Sequence, residues 1–86
     1  MTLRTSYADI PAYRTLDGSE IRELCHPAMH GNRNQSLAEA IVEPGQSTRL
    51  HAHRQSEELY HVLAGRGVMT LGQEQFPVDP GDTVLI

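Results

Sequence analysis

Two histidines one residue apart, His51 and His53, precede Glu58 in the stretch Gly45-Gln-Ser-Thr-Arg-Leu-His51-Ala-His53-Arg-Gln-Ser-Glu57-Glu58-Leu-Tyr60-His-Val-Leu-Ala-Gly65. Side chains at i and i+2 of a strand point to the same face. On a strand, His51 and His53 therefore present two imidazoles side by side. A carboxylate from a neighbouring strand then completes three ligands around one cation. Two His and one carboxylate suit first-row divalent metals such as Fe, Mn, Zn, Ni or Cu. The pattern demands β structure, because a helix would turn the two rings apart.

Size limits what surrounds this site. The chain has 86 residues, one domain at most, and a chain this short buries only a small core. Aromatic residues make up 5%, with no Trp and a single Phe, so large core anchors are few. The net charge is −4 and the pI near 5.6. All seven basic residues are scattered arginines. Neither nucleic acid nor an anionic membrane surface is an expected partner, since both need basic patches. No apolar run approaches the length of a membrane span. The opening Met-Thr-Leu-Arg-Thr-Ser-Tyr-Ala-Asp lacks the apolar centre of a signal peptide. A single cysteine, Cys25, excludes an internal disulfide, and a reducing cytoplasm is the expected compartment.

The spacing resembles the first motif of the cupin superfamily, G-x5-H-x-H-x4-E-x6-G. Gly45, His51, His53, Glu58 and Gly65 all fall in register with it. The resemblance implies an all-β fold: a small antiparallel β-barrel, or jelly roll, with a metal inside. It implies that His51, His53 and Glu58 are ligands, joined by a histidine from a second motif, G-x5-P-x-G-x2-H-x3-N. Here Gly81 is followed by Asp-Thr-Val-Leu-Ile86, so the second-motif histidine and the last strands are not in this chain. The resemblance covers Glu39 to Ile86 well and the N-terminal part loosely. It implies one cupin domain over 1–86, with an N-terminal arm over 1–14 and barrel strands from about residue 20. An incomplete barrel leaves open strand edges, which invite pairing with another chain. With the small core, this predicts a homodimer. It also suggests a fragment of a larger cupin.

Turn signals and apolar runs outline the strands. Asp17-Gly18 is a turn signal. Asp17-x-x-Glu20 fits a capping box for a short helix, whereas the resemblance places a strand over Glu20 to Cys25, which is the reading adopted. His26 to Asn34, with Pro27 and Gly31, reads as a loop. Strands are expected from Leu37 to Val42, Ser47 to His53, Glu58 to Ala64, Val68 to Leu71, around Phe76 and Val78, and from Thr83. Arg54 to Ser56 is a connection, Gly72 to Glu74 a short hairpin loop, and Asp79-Pro80-Gly81-Asp82 a tight turn. Short strands at this spacing indicate a sandwich or barrel.

Glu57 and Glu58 compete for the carboxylate role, and the motif spacing selects Glu58. Alternation then sets Glu58, Tyr60 and Val62 on one face and Leu59, His61 and Leu63 on the other. Tyr60 becomes a candidate for binding a substrate or supporting a metal ligand, or else a wall residue of the pocket. His61 reads as a packed or interface residue. His26 and His30 read as exposed loop residues, or as stand-ins for the second-motif histidine. Cys25 reads as a small packed side chain.

The function expected from these residues is binding of one divalent transition metal, Fe, Mn, Zn or Ni, by His51, His53 and Glu58. A two-His, one-carboxylate set with open positions suits dioxygen activation, and a divalent metal can also polarise a carbonyl for isomerisation. A dioxygenase-like or isomerase-like enzyme on a small organic molecule is one reading. A non-catalytic module holding a metal and a small ligand, or an inactive fragment, is the other, since a fold does not fix a function. The absence of Lys and of clustered Arg argues against a sugar-phosphate substrate.

Overall fold

A computed structural model describes residues 3–48 and 57–86. These fall in two compact units, one within Met1–Arg49 and the other within Leu50–Ile86. The strands are β1 (Tyr13–Arg14), β2 (Glu20–Cys25), β3 (Leu37–Ile41), β4 (Leu59–His61), β5 (Gly67–Leu71), β6 (Glu74–Val78) and β7 (Thr83–Leu85). Helical structure among the described residues is limited to a single 3₁₀ turn at Tyr7–Asp9 and one short helix, α1 (Pro27–His30). All strand pairs are antiparallel. This is the all-β pattern expected of a cupin-type fold. Among the described residues the strands form three separate ladders, β1-β2-β3, β4-β7 and β5-β6, rather than one closed barrel.

In the first unit, Asp17 and Gly18 make the turn between β1 and β2. Gly18 takes φ +91°, a conformation open to glycine at no steric cost. The Oδ1 of Asp17 accepts from the Ser19 amide at 3.1 Å and the Ser19 hydroxyl at 2.9 Å, and from the Thr15 hydroxyl. The Thr15 amide donates to the Ser19 carbonyl at 2.9 Å. Ser19 is consequently 3% exposed, a buried polar group with its partners supplied. β2 is a strand, not the helix that a capping box at Asp17 would start: Asp17 instead serves the turn.

β2 and β3 pair Glu20 with Ile41, Arg22 with Glu39 and Cys25 with Leu37, with a register shift between Glu23 and Cys25. Opposite charges face each other across the ladder, and Arg22 Nη1 lies 3.4 Å from Glu39 Oε1. Tyr7 covers this pair. Its ring centroid lies 4.6 Å from the Arg22 guanidinium carbon, within cation–π range. Its hydroxyl donates to Glu39 at 2.7 Å and accepts from Arg22 at 2.8 Å. The Thr5 hydroxyl donates to the Leu24 carbonyl at 2.8 Å. The N-terminal segment is thus fastened along β2.

α1 departs from the expected loop. Pro27 and Gly31 are not merely breakers here. Pro27 opens the helix, where its missing N–H costs nothing, and Gly31 closes it at φ +79°. That Pro-first, Gly-last arrangement is a helix boundary signal.

In the second unit, β4 pairs Leu59 with Leu85, Tyr60 with Val84 and His61 with Thr83. β5 and β6 form a hairpin closed by Gly72 and Gln73, with Leu71 opposite Glu74. Gly72 has φ +59° and no non-glycine residue among the described residues has positive φ, the sign pattern of a type II′ turn. Among the described residues β6 is paired on one side only, which tolerates Pro77. Met69 and Phe76 pair across the hairpin on its half-buried face. Val78, 8% exposed, is the one buried apolar residue among the described residues, and none of their side chains is fully buried.

Several strand limits are tighter than the sequence suggests. The expected strand over Glu58 to Ala64 is confined to Leu59–His61, and that over Leu37 to Val42 ends at Ile41. Of the expected strand over Ser47 to His53, residues 49–53 lie outside the described residues, as does the connection over Arg54 to Ser56.

Candidate metal centre

His51 and His53 lie outside the described residues. Glu58, the third member of the set, immediately precedes β4. Its backbone is held by β7's end: the Ile86 amide donates to the Glu58 carbonyl at 2.9 Å. Further along, the Val62 amide donates to Asp82 at 2.9 Å, and the Gly81 amide to Val62 at 2.8 Å. The β4–β7 ladder is therefore pinned at both ends.

Exposure alternates along this stretch. Glu57, Leu59, His61 and Leu63 are exposed, whereas Glu58, Tyr60 and Val62 are half-buried. Val84, the partner of Tyr60, and Ile86 are half-buried too. A carboxylate and a phenol thus share a partly desolvated face with three aliphatic side chains. A carboxylate oxygen is a hard donor of the kind divalent cations take, so Glu58 is chemically fit for the ligand role. Among the described residues, no group of three or more His, Cys, Asp or Glu is placed to hold a metal ion.

His61 lies on the opposite face, its Nδ1 2.7 Å from the Thr83 hydroxyl. The sequence alone gives no hint of this contact, which depends on the β4–β7 register. His26 and His30 are not idle loop residues. The Ala28 amide donates to His26 Nδ1 at 3.0 Å, and the His26 amide donates to His30 Nδ1 at 2.9 Å. Each ring thus spends its Nδ1 lone pair on the backbone, and when neutral carries its proton on Nε2. Neither nitrogen is then a ready metal donor. Cys25 is a free, half-buried thiol at the end of β2.

The family model of the cupin domain matches residues 38–86, and the chain belongs to the cupin family. It is similar to the uncharacterized protein MJ1618 of Methanocaldococcus jannaschii, with 54% identity over 98% of this chain and 67% of that protein. It is also similar to the polyketide synthase CurC of Streptomyces cyaneus, with 32% identity over 80% of this chain and 45% of that protein. The chain thus spans about two thirds of the first relative and less than half of the second. No solved structure matches it. No helix among the described residues is long and apolar enough to cross a membrane.

Proposed function

We propose that this cupin binds one divalent transition metal through His51, His53 and Glu58, and that it acts on a small organic molecule in a dioxygenase-like or isomerase-like reaction. The observation that carries the reading is the half-buried Glu58, on the same side of β4 as Tyr60, at the motif distance from His51 and His53. A metal bound there would supply Lewis acidity or a site for dioxygen. The chain's own part is to orient and to exclude water. Tyr60 offers the substrate a hydroxyl donor or acceptor. Val62, Val84 and Ile86 supply apolar walls to hold an organic molecule away from solvent.

A non-catalytic module, holding metal and ligand without turnover, is favoured by one feature. The described half-buried face around Glu58 offers Tyr60 and aliphatic groups, and no second carboxylate, imidazole or amine to serve as a general base. The curated relative named as a polyketide synthase is compatible with either reading. A homodimer is part of the proposal. It rests on the solvent-facing apolar pair Leu59 and Leu85, 67% and 59% exposed. The compartment proposed is the cytoplasm, where a lone Cys25 stays reduced.

The test is metal content per chain by elemental mass spectrometry on untagged protein, with His51→Ala as the control. One metal per chain, lost in the variant, supports the proposal. Equal content in both proteins, or none after reconstitution, overturns it. Light scattering at micromolar concentration reads the dimer directly, and a monomer mass sinks that part.

A further inference from the structure

α1 is opened by a reciprocal pair of side-chain-to-backbone bonds. His26, the residue before Pro27, accepts from the Ala28 amide at 3.0 Å. His30 reaches back and accepts from the amide of His26 at 2.9 Å. The usual capping box pairs a Ser or Thr with a Glu or Gln three residues on, bonding the third helical amide and the N-cap amide. Here the second partner is four residues on, the first bond goes to the second helical amide, and both acceptors are imidazoles, which has a chemical consequence. A hydroxyl or amide acceptor keeps its lone pair at every physiological pH. An imidazole nitrogen loses it on protonation and becomes a second donor.

We propose that His26 and His30 form a proton-sensitive latch, closing the connection between β2 and β3 when both rings are neutral and releasing it when either is protonated. Protonation at Nδ1 replaces an N–H···N bond by two opposed N–H groups. An N-terminal amide of α1 is then left without its acceptor. The backbone bonds of the turn include those from the Met29 and His30 amides to the His26 carbonyl, at 3.0 and 2.8 Å. A single helical turn has few such bonds, and its nucleation is unfavourable.

The charged groups nearby do not mask the effect. On β2 and β3, Glu20 and Glu39 are paired with Arg22, and Glu23 accepts from the Tyr13 hydroxyl. The connection itself carries Arg33, a cation that gives no stabilisation to an imidazolium. The neighbouring Cys25 thiol is free. Among the described residues neither ring has a carboxylate at ion-pairing distance. The opening is confined to the 26–36 connection, because the β2–β3 ladder makes no use of either ring.

The test is nuclear magnetic resonance on the full chain with labelled histidine. At a pH of about 8, the nitrogen shifts of both rings should report the Nε2–H tautomer with Nδ1 as acceptor. Lowering the pH to about 5 should reduce the exchange protection of the Ala28 and His26 amides at least fivefold, after correction for intrinsic rates. Protection across the β5–β6 hairpin should stay unchanged. The double variant His26→Asn, His30→Gln supplies non-titrating acceptors, and its Ala28 protection should be flat with pH. An Nδ1–H tautomer at either ring overturns the proposal. So does flat protection in the native chain, or the same loss in the double variant. The tautomer measurement decides even if the double variant does not fold.

Discussion

The amide of Ile86 donates to the carbonyl of Glu58 across 2.9 Å. The residue after β7 thereby fixes the backbone of the residue before β4. This bond sets the pleat that turns Glu58 to the half-buried side and Glu57 to solvent. The two carboxylates are adjacent in sequence and opposite in surroundings. Glu58→Gln, which keeps shape and removes the anion, should cost most of the bound metal, and Glu57→Gln should cost none. Elemental mass spectrometry on the two variants checks this. Equal retention in both would remove Glu58 from the ligand set.

Val78 is the one buried apolar residue among the described residues, and it lies opposite Gly67 in the hairpin. Removing two methyl groups there loses transfer energy and leaves a gap that a glycine neighbour cannot fill. Val78→Ala should destabilise the protein by about 1–3 kcal/mol. Val68, on the same hairpin, is 67% exposed, and Val68→Ala should shift stability by less than about 0.5 kcal/mol. Urea unfolding midpoints of the two variants check the contrast.

The strand content was legible because turn chemistry is local. Asp17-Gly18, Gly72-Gln73 and Asp79-Pro80-Gly81-Asp82 each bound a strand by their own residues. The alternation of Glu58, Tyr60 and Val62 followed from period two alone. What stayed hidden depends on contacts distant in sequence. Nothing in the order of residues announces that Tyr7 will lie over Arg22 and Glu39, or that His61 will meet Thr83. The helix at Pro27–His30 was hidden for another reason: histidine is not a usual capping residue. A Ser at position 26 and a Glu at position 29 would have drawn attention to it.

Tyr7 links the N-terminal segment to β3 through a hydrogen bond that requires its proton. Its donation to Glu39 is the main cause that raises its pKa above the ordinary tyrosine value of 10.0, with desolvation adding and the Arg22 charge opposing. Tyr13 is raised in the same way by its bond to Glu23. A phenol whose folded pKa is raised stabilises the fold below the unfolded value. That contribution disappears as pH climbs through the folded value. The fastening of residues 5–10 should therefore persist through neutral pH and be released only in strong alkali. Following phenolate absorbance in the native chain and in Tyr7→Phe isolates this group. Glu39→Gln should move its titration down towards the ordinary value, and an unmoved titration would show that the bond is not the cause.

The turn at Gly18 separates backbone strain from packing. Gly18 holds φ +91°, where a side chain is strained. Yet a Cβ built there would meet only the Gln46 Oε1, at 3.7 Å, an ordinary contact. Any cost of Gly18→Ala is then conformational, and about 1–2 kcal/mol is expected. Asn tolerates left-handed backbone better than Ala does, so Gly18→Asn should lose clearly less. Ser19→Ala probes the other half of the same turn. It removes the hydroxyl that donates to Asp17 and meets Thr15 at 2.8 Å, while the Ser19 amide still reaches Asp17. Its cost should be about 1–2 kcal/mol, comparable to that of Gly18→Ala but of different origin. The two are neighbours in one hydrogen-bonded turn, so their double variant should lose less than the sum. Denaturant midpoints of the single and double variants measure this. Strict additivity would mean that the Asp17 network forms independently of the Gly18 conformation.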